Sequence, residues 1–200
     1  MTGGLYNNQN LIQQDGELYF YKDFFNNDTS NLYTQTLLKD IPWQQKHITL
    51  FGNTVEQPRL VSWHAESGIH YKYSGITMLP EPWTDTLLTI KHAVEEQLNT
   101  KFNSAFLNLY RNGRDYMGWH RDNEKSLGPQ PYIASLSFGA DRKFKFKHIN
   151  NTNFNYELIL KSGSMLTMGG EIQHYWKHCL PKALKVNGPR INITFRQVAI

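Results

Sequence analysis

Arg190-Ile191-Asn192-Ile193-Thr194-Phe195-Arg196 alternates polar and apolar side chains without a break. That period belongs to a β-strand, which sends successive side chains to opposite faces. Ile191, Ile193 and Phe195 share one face; Arg190, Asn192, Thr194 and Arg196 share the other. Taken alone, the two arginines fit a half-exposed strand. Turned inward, they require an anionic partner, because unpaired buried charge is costly.

Working back from this strand, the chain from Ala105 onward is a series of short strand patterns. They are separated by turn signals at Asn112-Gly113, Ser162-Gly163 and Gly169-Gly170. Leu18 to Phe25 reads as a first strand, and a helix follows from about Thr29 to Leu38 with Asp28 as its N-cap. A second helix is expected from about Thr84 to Leu98. There Leu87, Leu88, Ala93, Val94 and Leu98 recur on one face, and Pro80 and Pro82 precede the start. The predicted architecture is α+β but mainly β, with helices on one side of a two-sheet antiparallel barrel or jelly roll. A single domain is expected over 17–200, after a Gly-, Asn- and Gln-rich tail over 1–16 with little order.

Upstream of the arginine strand lie Trp119-His120-Arg121-Asp122 and Tyr175-Trp176-Lys177-His178. His120 and Asp122, two apart at a strand end, project to the same side. With His178 from a neighbouring strand they would supply two imidazoles and a carboxylate, a set that holds Fe(II) and leaves positions open. Among eight histidines a lone H-x-D is a weak signal. His174, four before His178, competes as the distal ligand. Arg190 and Arg196 downstream would suit a dicarboxylate such as 2-oxoglutarate, each guanidinium gripping a carboxylate as a fork.

Together these segments resemble the AlkB family of Fe(II)/2-oxoglutarate dioxygenases, and in their motifs its duplex-DNA-acting members. The resemblance adds Asn108-Leu109-Tyr110, Gly118-Trp119-His120-Arg121-Asp122, Ile133-Ala134-Ser135-Leu136-Ser137-Phe138-Gly139 and His178-Cys179-Leu180-Pro181. It covers about residues 50 to 197, three quarters of the chain. It implies a double-stranded β-helix with Fe(II) on His120, Asp122 and His178. It also implies 2-oxoglutarate held by Asn108, Tyr110, Arg190, Thr194 and Arg196, and O2 as oxidant. His178, rather than His174, matches the family's distal segment. The activity implied is oxidative demethylation of N-alkylated bases in DNA, with release of succinate and formaldehyde.

On the substrate side, Leu50-Phe51-Gly52 resembles the aromatic finger that enters the base stack, and a Phe beside a Gly at a hairpin tip suits that task. A Phe packed beneath its own loop is the ordinary alternative. Arg59 stands where the duplex-acting relatives carry an arginine, and Tyr71-Lys72-Tyr73-Ser74-Gly75 resembles their base pocket. A flipped base would stack between Tyr73 and His120, and Glu124 would meet its exocyclic amine. Asn123 departs from the acidic residue common at that place. Lys143, Lys145 and Lys147 alternate with Phe144 and Phe146, giving a strand whose lysine face serves equally as a phosphate track or a solvated surface.

The 200 residues suit one domain with a sizeable core. A single cysteine, Cys179, excludes an internal disulfide and fits a reducing compartment. Met1 to Asn10 has no signal-peptide pattern and no apolar stretch reaches membrane-span length, so an intracellular, soluble monomer is expected. A net charge of +4 is compatible with a nucleic-acid partner, double-stranded DNA on the family reading. The alternatives are an RNA demethylase or a protein or small-molecule hydroxylase on the same core. A non-catalytic nucleic-acid-binding relative fits less well, because metal and co-substrate residues are intact.

Overall fold

The computed structural model describes residues 9–50, 53–69, 71–73 and 76–199, with backbone only at 48–50, 71–73 and 76–78. Its main layer is a seven-stranded antiparallel sheet. The order is β1 (Glu17–Tyr21), β11 (Ser164–Gly169), β8 (Ile133–Gly139), β13 (Arg190–Arg196), β6 (Ser104–Tyr110), β3 (Asn53–Ala65) and β2 (Gln44–Leu50). Facing it is a four-stranded sheet of β10 (Asn155–Leu160), β9 (Arg142–His148), β12 (Trp176–Leu180) and β7 (Met117–His120). β4 (Tyr71–Tyr73) and β5 (Ile76–Met78) form a separate hairpin. This is the expected jelly roll, with β13 at the centre of the large sheet, paired to β6 and β8 along its length.

The strand period decides which side of the large sheet carries the core. Ile191, Ile193 and Phe195 join Leu107, Leu136 and Phe138 in one cluster with Leu37 of α1 (Asn27–Asp40) and Leu87, Ile90 and Val94 of α2 (Asp85–Leu98). Side chains this buried contribute about 1.5–3 kcal/mol each, which seats both helices on the outer face. Between the sheets, Leu18, Ile133, Leu166 and Met168 meet Phe146 and Trp176.

Helix α1 begins before its expected start. Asn26, not Asp28, is the cap: its Oδ1 accepts the Thr29 N–H at 2.9 Å, while Asp28 sits in the first turn, where its charge favours the helix dipole. Thr84 caps α2 through the Leu87 N–H at 3.2 Å. β1 ends at Tyr21, short of the expected Phe25, where the chain turns into α1.

Residues 10–16, assigned to the tail by composition, are tied to the sheets. Asn10 Oδ1 accepts the Leu18 N–H at 2.9 Å, the Gln14 carbonyl accepts from Trp176 Nε1 at 3.2 Å, and Ile12 is buried. Asp15 Oδ2 lies 3.0 Å from His148 Nε2, while Nδ1 of that ring accepts the N–H groups of Asn150 and Asn151. Asn10, Asp15 and the Gln14 carbonyl anchor this segment around the buried Ile12, with no regular hydrophobic period to announce it. Gly113, one of the turn signals, sits where a Cβ would collide with the Ala183 carbonyl.

Candidate metal centre and co-substrate pocket

β7 and β12 pair antiparallel with His178 directly opposite His120, which sets both imidazoles on the inner face of the small sheet. The rings stand edge to face, with centroids 4.3 Å apart. Asp122 follows β7, and its Oδ1 lies 3.8 Å from His120 Nε2. Ligand atoms of His120, Asp122 and His178 all fall within 4.8 Å of one another. A proton on His120 Nδ1 donates to the Gly118 carbonyl at 2.9 Å, leaving Nε2 as the lone-pair donor that faces the cluster.

The electrostatics suit a cation. Burial alone would raise the Asp122 carboxyl, but Arg196, then His178 and His120, bring it down to about 2. Burial, with His120 adding to it, lowers the His178 imidazole to about 3 and keeps it neutral, the form that binds metal. Arg196 NH2 donates to Asp122 Oδ2 at 2.6 Å, and Gln173 Oε1 accepts the Asp122 backbone N–H at 2.9 Å. The carboxylate is therefore charged and fixed in orientation. His174 is exposed and its Nε2 is bonded to the Pro129 carbonyl, so it stands apart from the cluster.

A cavity opens from the cluster across the inner face of the large sheet. Its lining includes Arg59, Asn108, Tyr110, Asn192, Thr194, Arg190 and Arg196, with Phe106, Met117, Phe144 and Met168 as apolar walls. A polar ladder crosses four strands along its floor. Arg59 Nε on β3 donates to Asn108 Oδ1 at 2.7 Å, and Asn108 Nδ2 to Asn192 Oδ1 at 3.2 Å. Asn192 Nδ2 in turn donates to Ser135 Oγ at 2.9 Å. Thr194 Oγ1 joins it at Asn192 Oδ1, 3.2 Å away.

Arg190 lies at one end of this floor, 2% exposed, with NH2 donating to Ser137 Oγ at 2.8 Å and its guanidinium 5.3 Å from the Tyr110 ring centre. Burial lowers it to about 10, Tyr110 opposing that shift and Arg142 adding to it. Among the described residues no carboxylate pairs with Arg190, and its Nε has no hydrogen-bond partner. A buried guanidinium in this state fits a carboxylate delivered by a small anion. Arg142, its guanidinium 5.8 Å from the Tyr110 ring centre, is also buried and donates to the carbonyls of Asn112, Asp115 and Pro181.

The structure thus brings together the three metal candidates and Asn108, Tyr110, Arg190, Thr194 and Arg196. Arg196 stands differently from expectation: its NH2 holds the metal-ligand candidate Asp122. Arg59, read as a substrate residue, is buried against Asn108 within the same cavity. Glu124 is partly buried beyond the loop and does not line it, although its Oε2 is buried without a partner among the described residues. Tyr71 and Tyr73 take register positions opposite Met78 and Ile76. Phe51 and Gly52 lie outside the described residues; β2 and β3, on either side of them in sequence, pair through Leu50 and Asn53. Ser135, Ser137 and Asn192 were visible only as members of alternating strands, and Gln173 carried no signal at all.

A model of the 2OG-Fe(II) oxygenase superfamily matches residues 17–196. The chain is 42% identical over 173 residues to alpha-ketoglutarate-dependent dioxygenase alkB homolog 3 of Bos taurus, covering 82% of this chain and 60% of that protein. It is 40% identical over 187 residues to the Homo sapiens protein of the same name, covering 89% and 65%. To the DNA oxidative demethylase ALKBH2 of Homo sapiens it is 36% identical over 160 residues, covering 76% and 61%. It therefore spans 60% to 65% of the length of these relatives. The solved structure of OsALKBH1 has a TM-score of 0.64 at 14% identity, covering 93% of this chain and 98% of that one, which is a likeness of fold. No described helix is long and apolar enough to cross a membrane.

Proposed function

Since the chain belongs to the 2OG-Fe(II) oxygenase superfamily, and within it to the AlkB family, we propose that it demethylates N-alkylated bases of the 1-methyladenine and 3-methylcytosine type in DNA. The observation that carries the reading is the buried Arg190, without a carboxylate partner among the described residues, in the same cavity as the His-Asp-His cluster. Fe(II), 2-oxoglutarate and O2 would supply the oxidation that turns an N-methyl group into a hydroxymethyl one, which leaves as formaldehyde, while 2-oxoglutarate loses CO2 and takes up the other oxygen atom of O2 as succinate.

The chain's own residues bind, orient and enclose. His120, Asp122 and His178 hold the iron, and Arg196 keeps the Asp122 carboxylate ionised and aimed. Arg190, with Ser137 and Tyr110 beside it, takes the distal carboxylate of 2-oxoglutarate, while Asn108 and Thr194 steady it from the floor. Arg59 acts through Asn108. Phe106, Met117, Phe144 and Met168 keep water from the reacting carbon.

On this reading Tyr71, Tyr73 and Glu124 receive the flipped base, and Phe51 with Gly52 fills the space it vacates in duplex DNA. The chain acts as a monomer on that substrate. The test is an anaerobic titration with Fe(II) and 2-oxoglutarate, followed by air and methylated oligonucleotides with mass readout. Loss of the methyl mass with matching formaldehyde supports the reading, and an unchanged mass with every DNA and RNA oligonucleotide overturns it. Phe51→Ala then separates substrates: it should slow methylated duplex far more than the same lesion in a single strand, because only the duplex requires unstacking, at a few kcal/mol. Equal slowing would remove the finger.

A further inference from the structure

The inward ligands of the small sheet have outward neighbours. Trp119 precedes His120 and is 42% exposed, and Lys177 precedes His178. On β9, Phe146 faces inward against His178, with ring centroids 5.8 Å apart, so Lys147 points out beside Lys177, its register partner on β12. The outer lysines are not equivalent. Lys143 and Lys145 share Glu157 of β10, at 2.6 and 3.6 Å. Neither Lys147 nor Lys177 has a carboxylate partner among the described residues, and Lys147 Nζ sits 4.5 Å from the centre of the Trp119 ring.

Two like charges directly opposite each other weaken a strand pair, and a cation–π contact that fixes one of them does nothing to neutralise it. An anion shared between the two ammonium groups relieves the repulsion. The pair sits on the two inner strands of the small sheet, Lys177 next to the metal-ligand candidate His178 and Lys147 reaching Trp119 on the edge strand β7. We propose that Lys147 and Lys177, with Trp119 positioning the former, bind the phosphate backbone of the nucleic-acid strand that carries the target base. This rests on the demethylase reading and places the strand's path across the outer face of the small sheet. Lys143 and Lys145, which share the Glu157 carboxylate, are left out of that path.

The test uses the full chain and a labelled single-stranded oligothymidylate, with dissociation constants measured across a salt series. Each phosphate contact contributes about 0.7 to the slope of log affinity against log salt for a single strand, so Lys147→Gln/Lys177→Gln should flatten the slope by roughly 1.4. Lys39→Gln, exposed at the end of α1 on the far side of the large sheet, removes charge elsewhere and should leave the slope alone. Circular dichroism melting checks that every variant is folded. An unchanged slope in the double variant, or an equal loss in Lys39→Gln, overturns the surface. If wild type demethylates methylated oligonucleotides while the double variant keeps its slope, only this inference falls. If wild type neither binds nor demethylates any oligonucleotide, the demethylase reading falls and this surface with it.

Discussion

Arg190 tests the pocket at the level of a single group. Arg190→Lys keeps the charge but loses the planar fork that meets a carboxylate with two parallel bonds. The Michaelis constant for 2-oxoglutarate should rise at least about tenfold, with a parallel loss in calorimetric binding. An unchanged constant would place the distal carboxylate elsewhere. Asp122→Ala removes the carboxylate of the cluster and, with it, the bond from Arg196; turnover should vanish while the melting transition persists. Formaldehyde release at the wild-type rate would refute the metal assignment. These residues announced themselves because metal and carboxylate chemistry demand particular side chains at fixed spacings. Arg142 did not: it opens a lysine-rich strand, and only the folded chain shows it buried against three backbone carbonyls.

Among the elements, α2 makes a prediction about pH. Glu95 in its last turn accepts from Lys91 at 2.8 Å, Lys101 at 3.1 Å and the Phe102 N–H at 2.9 Å, joining the helix to the segment that enters β6. Burial would raise its carboxyl, yet Lys91, Phe102 and Lys101 together lower it below the usual carboxylate value. A group depressed in the folded state stabilises fully above its unfolded value and loses that contribution as pH falls through the folded one. Glu95→Gln should therefore cost about 2 kcal/mol near neutral pH, and the gap from wild type should close on acidification below the carboxylate range. A gap independent of pH would mean that the charge is irrelevant. The same scale shows why some elements were readable. β13 obeys a strict two-residue period because each of its faces has one task, core on one side and cavity on the other. The start of α1 was misplaced because Asn26 and Asp28 are equally good caps by type, and only the direction of the entering chain decides between them. The 10–16 segment follows no period, since backbone carbonyls and polar side chains secure it.

Across the whole molecule the cavity is shared unequally between two layers. His120 and His178 belong to the four-stranded sheet, whose outer face bears exposed lysines. Arg190, Asn108 and Thr194 belong to the seven-stranded one, backed by two helices. Layers with such different support open with different free energies, the thinly covered one first. A ligand stabilises whichever state binds it by RT ln(1 + [L]/Kd), about 2.7 kcal/mol at a hundredfold excess over Kd. Amide hydrogen exchange should therefore respond in two steps. Metal alone should slow exchange in β7 and β12 and leave β6, β8 and β13 nearly untouched. Adding 2-oxoglutarate, which reaches from one layer to the other, should make the two sheets open together. A uniform response to metal would mean that the layers were already one cooperative unit; a graded one makes the co-substrate the seam that joins them.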